Sequence, residues 1–167
     1  MSQHDDPHIP DWNEVRSALT KAARERILIL DGAMGTMIQR LKLTEENFRV
    51  ERFKGWKLPL QGNNDLLVIT EPKVIEDIHF DYFMAGADIV ETNTFSATSV
   101  AQADYACEEA VYDINYQGVI VARRAAQRAE AADGRRRFVA GALGPTNKTS
   151  SMSTDVNSPG HRAITFD

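Results

Sequence analysis

Cysteine is nearly absent: Cys107 is the one thiol among 167 residues. That excludes an intramolecular disulfide and any metal site built from several cysteines of this chain. It also fits a reducing cytoplasm. Positive charge is short as well, with 19 Lys and Arg against 24 Asp and Glu and a net charge of −5. General nucleic-acid binding needs the opposite balance, because its affinity comes from counterions released by a basic surface. No apolar run approaches the ~20 residues of a membrane span. Residues 1–10 carry acid where a signal peptide carries positive charge, and no apolar stretch follows them. The expectation is a soluble cytoplasmic chain with neither a nucleic-acid nor a membrane partner. A G-x-G-x-x-G fingerprint is missing after the first apolar run, which lowers a dinucleotide-binding reading.

What is present is an ordinary globular composition, 43% hydrophobic and 26% charged, in a chain long enough for one medium domain. Residues 1–10 read as a loose tail. Asp11 is placed to cap a helix, with Glu14 reaching back to complete a capping box. Val15, Ala18, Leu19 and Ala22 continue the helical spacing to about Glu25, giving a lead-in helix on the outside of the main fold. Ile27-Leu28-Ile29-Leu30 is a short unbroken apolar run, the form of a strand buried on both faces. Asp31-Gly32 follows at its carboxyl end, and then a helix over 36–43. A long irregular stretch is broken by Gly55, Pro59, Gly62, Asn63 and Asn64. It exceeds an ordinary connection, and long ordered loops are often functional.

Leu66-Leu67-Val68-Ile69 is compatible with another strand without deciding it. The next helix is clearer, with Thr70 as cap and Glu71-Pro72 in its first turn. Val74, Ile75, Ile78, Tyr82 and Phe83 line its face, and Ala85-Gly86-Ala87 stops it. A strand over 88–93 follows, then helical sequence over 99–104 and 107–132, ended by Gly134. A third strand spans 138–143, and the remainder, rich in Ser, Thr, Asn, Pro and Gly, reads as loop. Arg135-Arg136-Arg137 reads as a solvated helix-to-strand turn. Apolar strands alternating with amphipathic helices imply parallel βαβ units. A doubly wound sheet fits, and so does a (β/α)8 barrel, which needs about 250 residues.

In such folds chemistry gathers at the carboxyl ends of the strands. Those ends carry Asp31, then Glu91 and Asn93, then Thr146 and Asn147. Together they suit a small zwitterion: carboxylates for its ammonium, and backbone N–H groups at Gly32 and Gly35 for its carboxylate. Each also has a plainer reading. Asp-Gly forms turns, and a strand-end Glu is commonly an ion-pair partner. His4, His8, His79 and His161 fall on separate elements and make no metal constellation. Cys107 reads as an inert packing thiol. The Asn147-Lys148-Thr149 sequon reads as idle.

The same segments resemble a known family. Ile29-Leu30-Asp31-Gly32-Ala33-Met34-Gly35-Thr36-Met37-Ile38-Gln39 resembles the opening strand and loop of cobalamin-dependent methionine synthase. So do Gly62-Asn63-Asn64-Asp65-Leu66-Leu67 and Gly86-Ala87-Asp88-Ile89-Val90-Glu91-Thr92-Asn93-Thr94-Phe95-Ser96, with Ala101-Gln102-Ala103-Asp104-Tyr105 downstream. Phe138-Val139-Ala140-Gly141-Ala142-Leu143-Gly144-Pro145-Thr146-Asn147-Lys148 completes the set. The resemblance covers about residues 26–167. It implies an α/β fold, the N-terminal portion (about three strands) of a (β/α)8 TIM barrel that binds homocysteine. Residues 1–25 are then tail and lead-in helix, and 26–167 a truncated homocysteine-binding barrel domain.

In that family a zinc ion on three cysteines lowers the pKa of the homocysteine thiol. The thiolate takes a methyl group from methylcobalamin to give methionine, and methyltetrahydrofolate recharges the cobalamin. By position Asp31 corresponds to the contact to the homocysteine amino group and Gly32 to a backbone contact nearby. Glu91 and Asn93 correspond to pocket-lining residues. The zinc cysteines lie in later strands, beyond residue 167. No catalytic residue or metal ligand is therefore expected here, and neither zinc nor cobalamin is expected to bind this chain alone. The implied partners are homocysteine and the remaining folate, cobalamin and reactivation domains.

Three βα units cannot close a barrel, so an open edge and an apolar face are expected to drive self-association, aggregation or partial melting. The alternatives are a fragment of a cobalamin-independent, betaine-type thiol methyltransferase and a non-catalytic truncated fragment. Asn93-Thr94-Phe95 and the Gly144 to Lys148 run favour the cobalamin-dependent reading over the betaine type. Ile164-Thr165-Phe166-Asp167, which reads as the start of another helix, favours a fragment.

Overall fold

The computed structural model describes residues 7–151, 153 and 155–164. His4, most of the expected tail and all but Ile164 of the helix start expected at 164–167 lie outside the described residues.

Helix α1 (Trp12–Glu25) begins where Asp11 accepts the Asn13 N–H at 2.8 Å. Glu14 does not complete a capping box; it pairs with Arg136 at 2.8 Å instead. No residue of α1 is buried, so it rides on the outside, as its spacing implies. The apolar run 27–30 forms less strand than expected. Only Leu30 makes a bridge, parallel to Ile89. The N–H groups of Asp88 and Ile89 both donate to Ile29 O, and Asp31 N–H donates to Ile89 O at 2.9 Å. Ile29 N–H goes to the Asp88 carboxylate, so a side chain stands where a ladder carbonyl would be. The run is not buried on both faces either: Ile27 is 84% exposed, and Ile29 and Leu30 are about half exposed.

Helix α2 (Met34–Arg40) leads into the long irregular stretch, which contains α3 (Glu45–Phe48) and a 3-10 turn at Glu51–Phe53. One carboxylate organises it. Glu45 accepts the N–H groups of Leu60 and Gln61 and pairs with Arg49. Phe48, Phe53 and Leu60 thereby enter the core. The 66–69 segment is helical, not a strand: a 3-10 turn (Asn64–Leu66) runs into α4 (Leu67–Thr70), which buries Leu66, Leu67 and Val68. Helix α5 (Pro72–Met84) follows with proline in its first turn, where no amide donor is needed. Glu71, not Thr70, occupies its cap position, because Thr70 still belongs to α4.

Strand β1 (Ile89–Glu91) pairs in parallel with β2 (Phe138–Ala140), Val90 opposite Val139. Between them lie α6 (Ser99–Gln102), capped by Thr98, and α7 (Val111–Asp133), ended by Gly134 at φ +72°. Both strands are shorter than the sequence expects. Beyond Glu91 and Ala140 hydroxyls replace the ladder: Ala142 N–H donates to Thr92 Oγ1 at 2.9 Å, and Thr94 Oγ1 donates to Ala142 O at 3.0 Å. The order is the 29–31 segment, β1, β2, all parallel, with α5 and α7 packed together against them. Small residues permit this, since Ala122, Ala125, Ala126 and Ala129 of α7 are buried beside Phe83 and Val90. At Gly118 a Cβ would stand 2.5 Å from Thr94 Cγ2, so α7 lies directly on the loop after β1.

The Arg135-Arg136-Arg137 turn is not simply solvated. Arg137 has a fully buried side chain, bonded to Asp133 at 2.5 Å and lying over the Phe83 ring. A carboxylate and an aromatic face compensate the charge that hydration would otherwise serve. Arg135 reaches Asp88 at 3.1 Å. Among the described residues no helix is long and apolar enough to cross a membrane.

Candidate functional site

The three parallel segments end on one side of a cleft of about 500 Å³. Asp31, Gly32, Glu91 and Asn93 all line it, although 60 positions separate Asp31 from Glu91 in sequence. Glu91 N–H donates to Asp31 Oδ1 at 3.1 Å, which fixes the first carboxylate beside the second. Burial pushes the Asp31 carboxyl up to about 6, and the neighbouring Glu91 carboxylate adds to the rise, while the Glu91 N–H opposes it. Asn93 is buried, and its Nδ2 donates to Asn64 O at 2.8 Å. Its amide is therefore spent on shaping the wall. Gly32 and Gly35 present backbone to the cleft.

Thr146 and Asn147 do not join them. Thr146 Oγ1 donates to Lys148 O, and Asn147 Nδ2, the sequon nitrogen, donates to Asp104. The cleft takes its remaining polar lining from Asn64, Asp65, Thr92 and Ser96. In the sequence Asn64 reads as a loop breaker, and Asp65 carries no role of its own. The run of polar residues ahead of an apolar helix was the available signal. Phe95 supplies an aromatic wall. Its carbonyl accepts Gly144 N–H at 3.0 Å, and a Cβ at 144 would stand 2.5 Å from that oxygen, so only glycine fits. The lining carries three carboxylates, Asp31, Asp65 and Glu91, and no Lys, Arg or His. Such a site favours a cationic group and offers backbone N–H groups to an anionic one.

A second cavity of about 600 Å³ lies between residues 8–15 and the α7–β2 turn and shares no lining residue with the cleft. Three of its four arginines are engaged, Arg135 with Asp88, Arg136 with Glu14, and Arg137 with Asp133, while the Nε of the fourth, Arg123, is buried without a hydrogen-bond partner. Among the described residues no group of three or more His, Cys, Asp or Glu side chains is placed to hold a metal ion. Cys107 is buried in the core, where burial pushes its thiol up, and it faces Tyr105 O at 3.5 Å. His79 is buried in α5, while His8 and His161 are exposed. A zinc site of three cysteines does not fit a chain with one.

The family model described as homocysteine S-methyltransferase matches residues 28–167. The oxidized form of the homocysteine methyltransferase MmuM from Escherichia coli is 27% identical, with a TM-score of 0.57 over 71% of this chain and 37% of that one. Its metallated form is 22% identical, with a TM-score of 0.59 over 86% of this chain and 48% of that one, a likeness of fold. The chain therefore spans less than half the length of either structure. With the match covering most of its residues, the chain belongs to the homocysteine S-methyltransferase family.

Proposed function

We propose that the cleft receives the amino-acid end of homocysteine. Asp31 and Glu91 face the ammonium group, backbone N–H at Gly32 meets the carboxylate, and Asn93 holds the wall in place. One observation carries this reading: residues from separate strand ends converge on a cleft whose only formal charges are negative. At neutral pH Asp31 is mostly ionised, since its carboxyl titrates near 6. The binding energy on offer is that of charge-assisted hydrogen bonds in a partly desolvated site.

In the whole enzyme the reaction is methyl transfer to the homocysteine sulfur, giving methionine. The finer reading, a part of cobalamin-dependent methionine synthase with methylcobalamin as donor, rests on the ordered motifs through Asn93-Thr94-Phe95 and the Gly144 to Lys148 run. Residues 26–167 then form part of a (β/α)8 barrel domain, with 1–25 leading into it. The three parallel segments, each followed by helix or loop, support that placement. The chemistry at sulfur lies with residues that this chain does not supply.

Calorimetric titration of homocysteine into the chain tests the reading. Saturable binding is expected at neutral pH, fading as pH falls through about 6. Asp31→Asn is expected to weaken it about tenfold or more, equivalent to about 1.4 kcal/mol. Added zinc is expected to change nothing. An isotherm flat up to millimolar homocysteine at neutral pH would end the proposal.

The exposed edge carries its own expectation. Ile27, just before the first parallel segment, and Leu143, just after β2, are 84% and 86% exposed. Unpaired edges with apolar side chains pair with further chains. Sedimentation velocity is expected to show mass rising with concentration, and a single monomer peak over a hundredfold range would contradict it.

A further inference from the structure

Four polar side chains in and behind the cleft wall, Asn63, Asp65, Asn93 and Gln102, are each less than a tenth exposed. They tie two stretches of chain together. Asn63 and Gln102 exchange amide hydrogen bonds at 2.8 and 3.1 Å. Gln102 Nε2 also donates to Ser96 O at 3.2 Å, and Asn93 Nδ2 donates to Asn64 O. Asp65 Oδ1 accepts the Ser96 N–H at 2.9 Å. The 63–65 and 93–96 stretches are thus joined at several points, and both line the cleft.

Within this network Asp65 alone carries a formal charge. Burial raises its carboxyl pKa, and the Ser96 N–H offsets part of the rise. No Lys, Arg or His charge is among the causes of that shift. A buried carboxylate without a cation is costly to the fold. A neutral amide of the same shape would satisfy one N–H more cheaply. What the carboxylate adds is strength: a charged acceptor holds an amide about twice as firmly as a neutral one. The amide it holds belongs to the residue after Phe95, the aromatic wall of the cleft, whose other side is fixed through Gly144.

We propose that Asp65 is a positioning residue for homocysteine: by gripping Ser96 N–H it sets the 94–96 segment, and Phe95 with it, against the Asn64 wall. The proposal rests on the homocysteine reading above.

The test is amide hydrogen exchange at Ser96, read beside homocysteine titration, on the whole chain with Asp65→Ala and Asp65→Asn. Asp65→Ala is expected to speed Ser96 exchange about 10- to 100-fold and to weaken homocysteine binding about tenfold. Asp65→Asn retains an acceptor oxygen but not its charge, and is expected to fall between Asp65→Ala and the parent, with Ser96 exchange a few-fold faster and binding a few-fold weaker than in the latter. Should Asp65→Ala fail to fold, the asparagine variant still decides. Parent-like Ser96 exchange with binding about tenfold weaker would mean that Asp65 acts on the ligand by charge, and would overturn the proposal. Unchanged exchange and affinity in Asp65→Ala would overturn it too. If the parent chain binds no homocysteine, the homocysteine reading fails, and Ser96 exchange alone decides whether Asp65 sets the segment.

Discussion

Asp88→Ala is expected to destabilise the fold by about 3 kcal/mol, at the lower end of the range for breaking a buried ion pair. Asp88 is fully buried at the foot of β1. Its carboxylate takes two hydrogen bonds from Arg26 at 2.6 Å, a third from Arg135 at 3.1 Å, and the Ile29 N–H at 3.0 Å. One side chain thus ties the lead-in to the first segment, β1, and the turn before β2. Both arginines remain about half exposed, so water recovers part of their loss and the effect stays at the lower end. The Arg26 guanidinium holds the Asp88 carboxyl down to about 2. A depressed carboxyl stabilises the fold above its unfolded value near 4, and that contribution is lost as pH falls toward 2. Urea unfolding at neutral pH measures the change, and a midpoint equal to the parent's would refute this account.

The second large effect lies in a different pH window. His79 has no exposed surface, and neither ring nitrogen has a hydrogen-bond partner. Burial alone pushes its pKa down to about 4. The unfolded chain binds the proton below about 6.5 while the native state refuses it until about 4, so stability falls as pH drops across that interval. The loss by pH 4 is about 3 kcal/mol. His79→Leu removes the titrating group and two unpartnered nitrogens, and is expected to stabilise the fold slightly at pH 7 and strongly at pH 5. A parent and a variant losing stability in parallel from pH 7 to 4 would show that His79 does not carry this dependence. Asp88 acts only below that range, so the two contributions separate.

Periodicity made the larger helices legible. Trp12–Glu25, Pro72–Met84 and Val111–Asp133 lie close to their expected positions, because a long apolar face repeats often enough to be read. The cleft residues were legible as strand ends, since parallel topology fixes which end faces the site. What escaped depended on partners distant in sequence. The 27–30 run lacked a full ladder because Asp88, far along the chain, took the Ile29 amide. Arg137 reads as solvated because Phe83, whose ring it covers, lies 54 positions away. Leu66-Leu67-Val68-Ile69 was too short for period alone to separate helix from strand. Asp65 looked like a loop residue until Ser96 was brought to it.

The cleft's one-signed lining also sets what it refuses. A molecule with two carboxylates brings one more negative charge than the backbone amides can receive, and meets Asp31, Asp65 and Glu91 with no side-chain cation to screen them. On the proposed homocysteine reading, dicarboxylic amino acids are expected to be turned away by repulsion before shape is tested, and a neutral thiol tail to pass. Discrimination of this kind survives small changes in wall geometry, because a Coulomb penalty falls off more slowly with distance than a steric one.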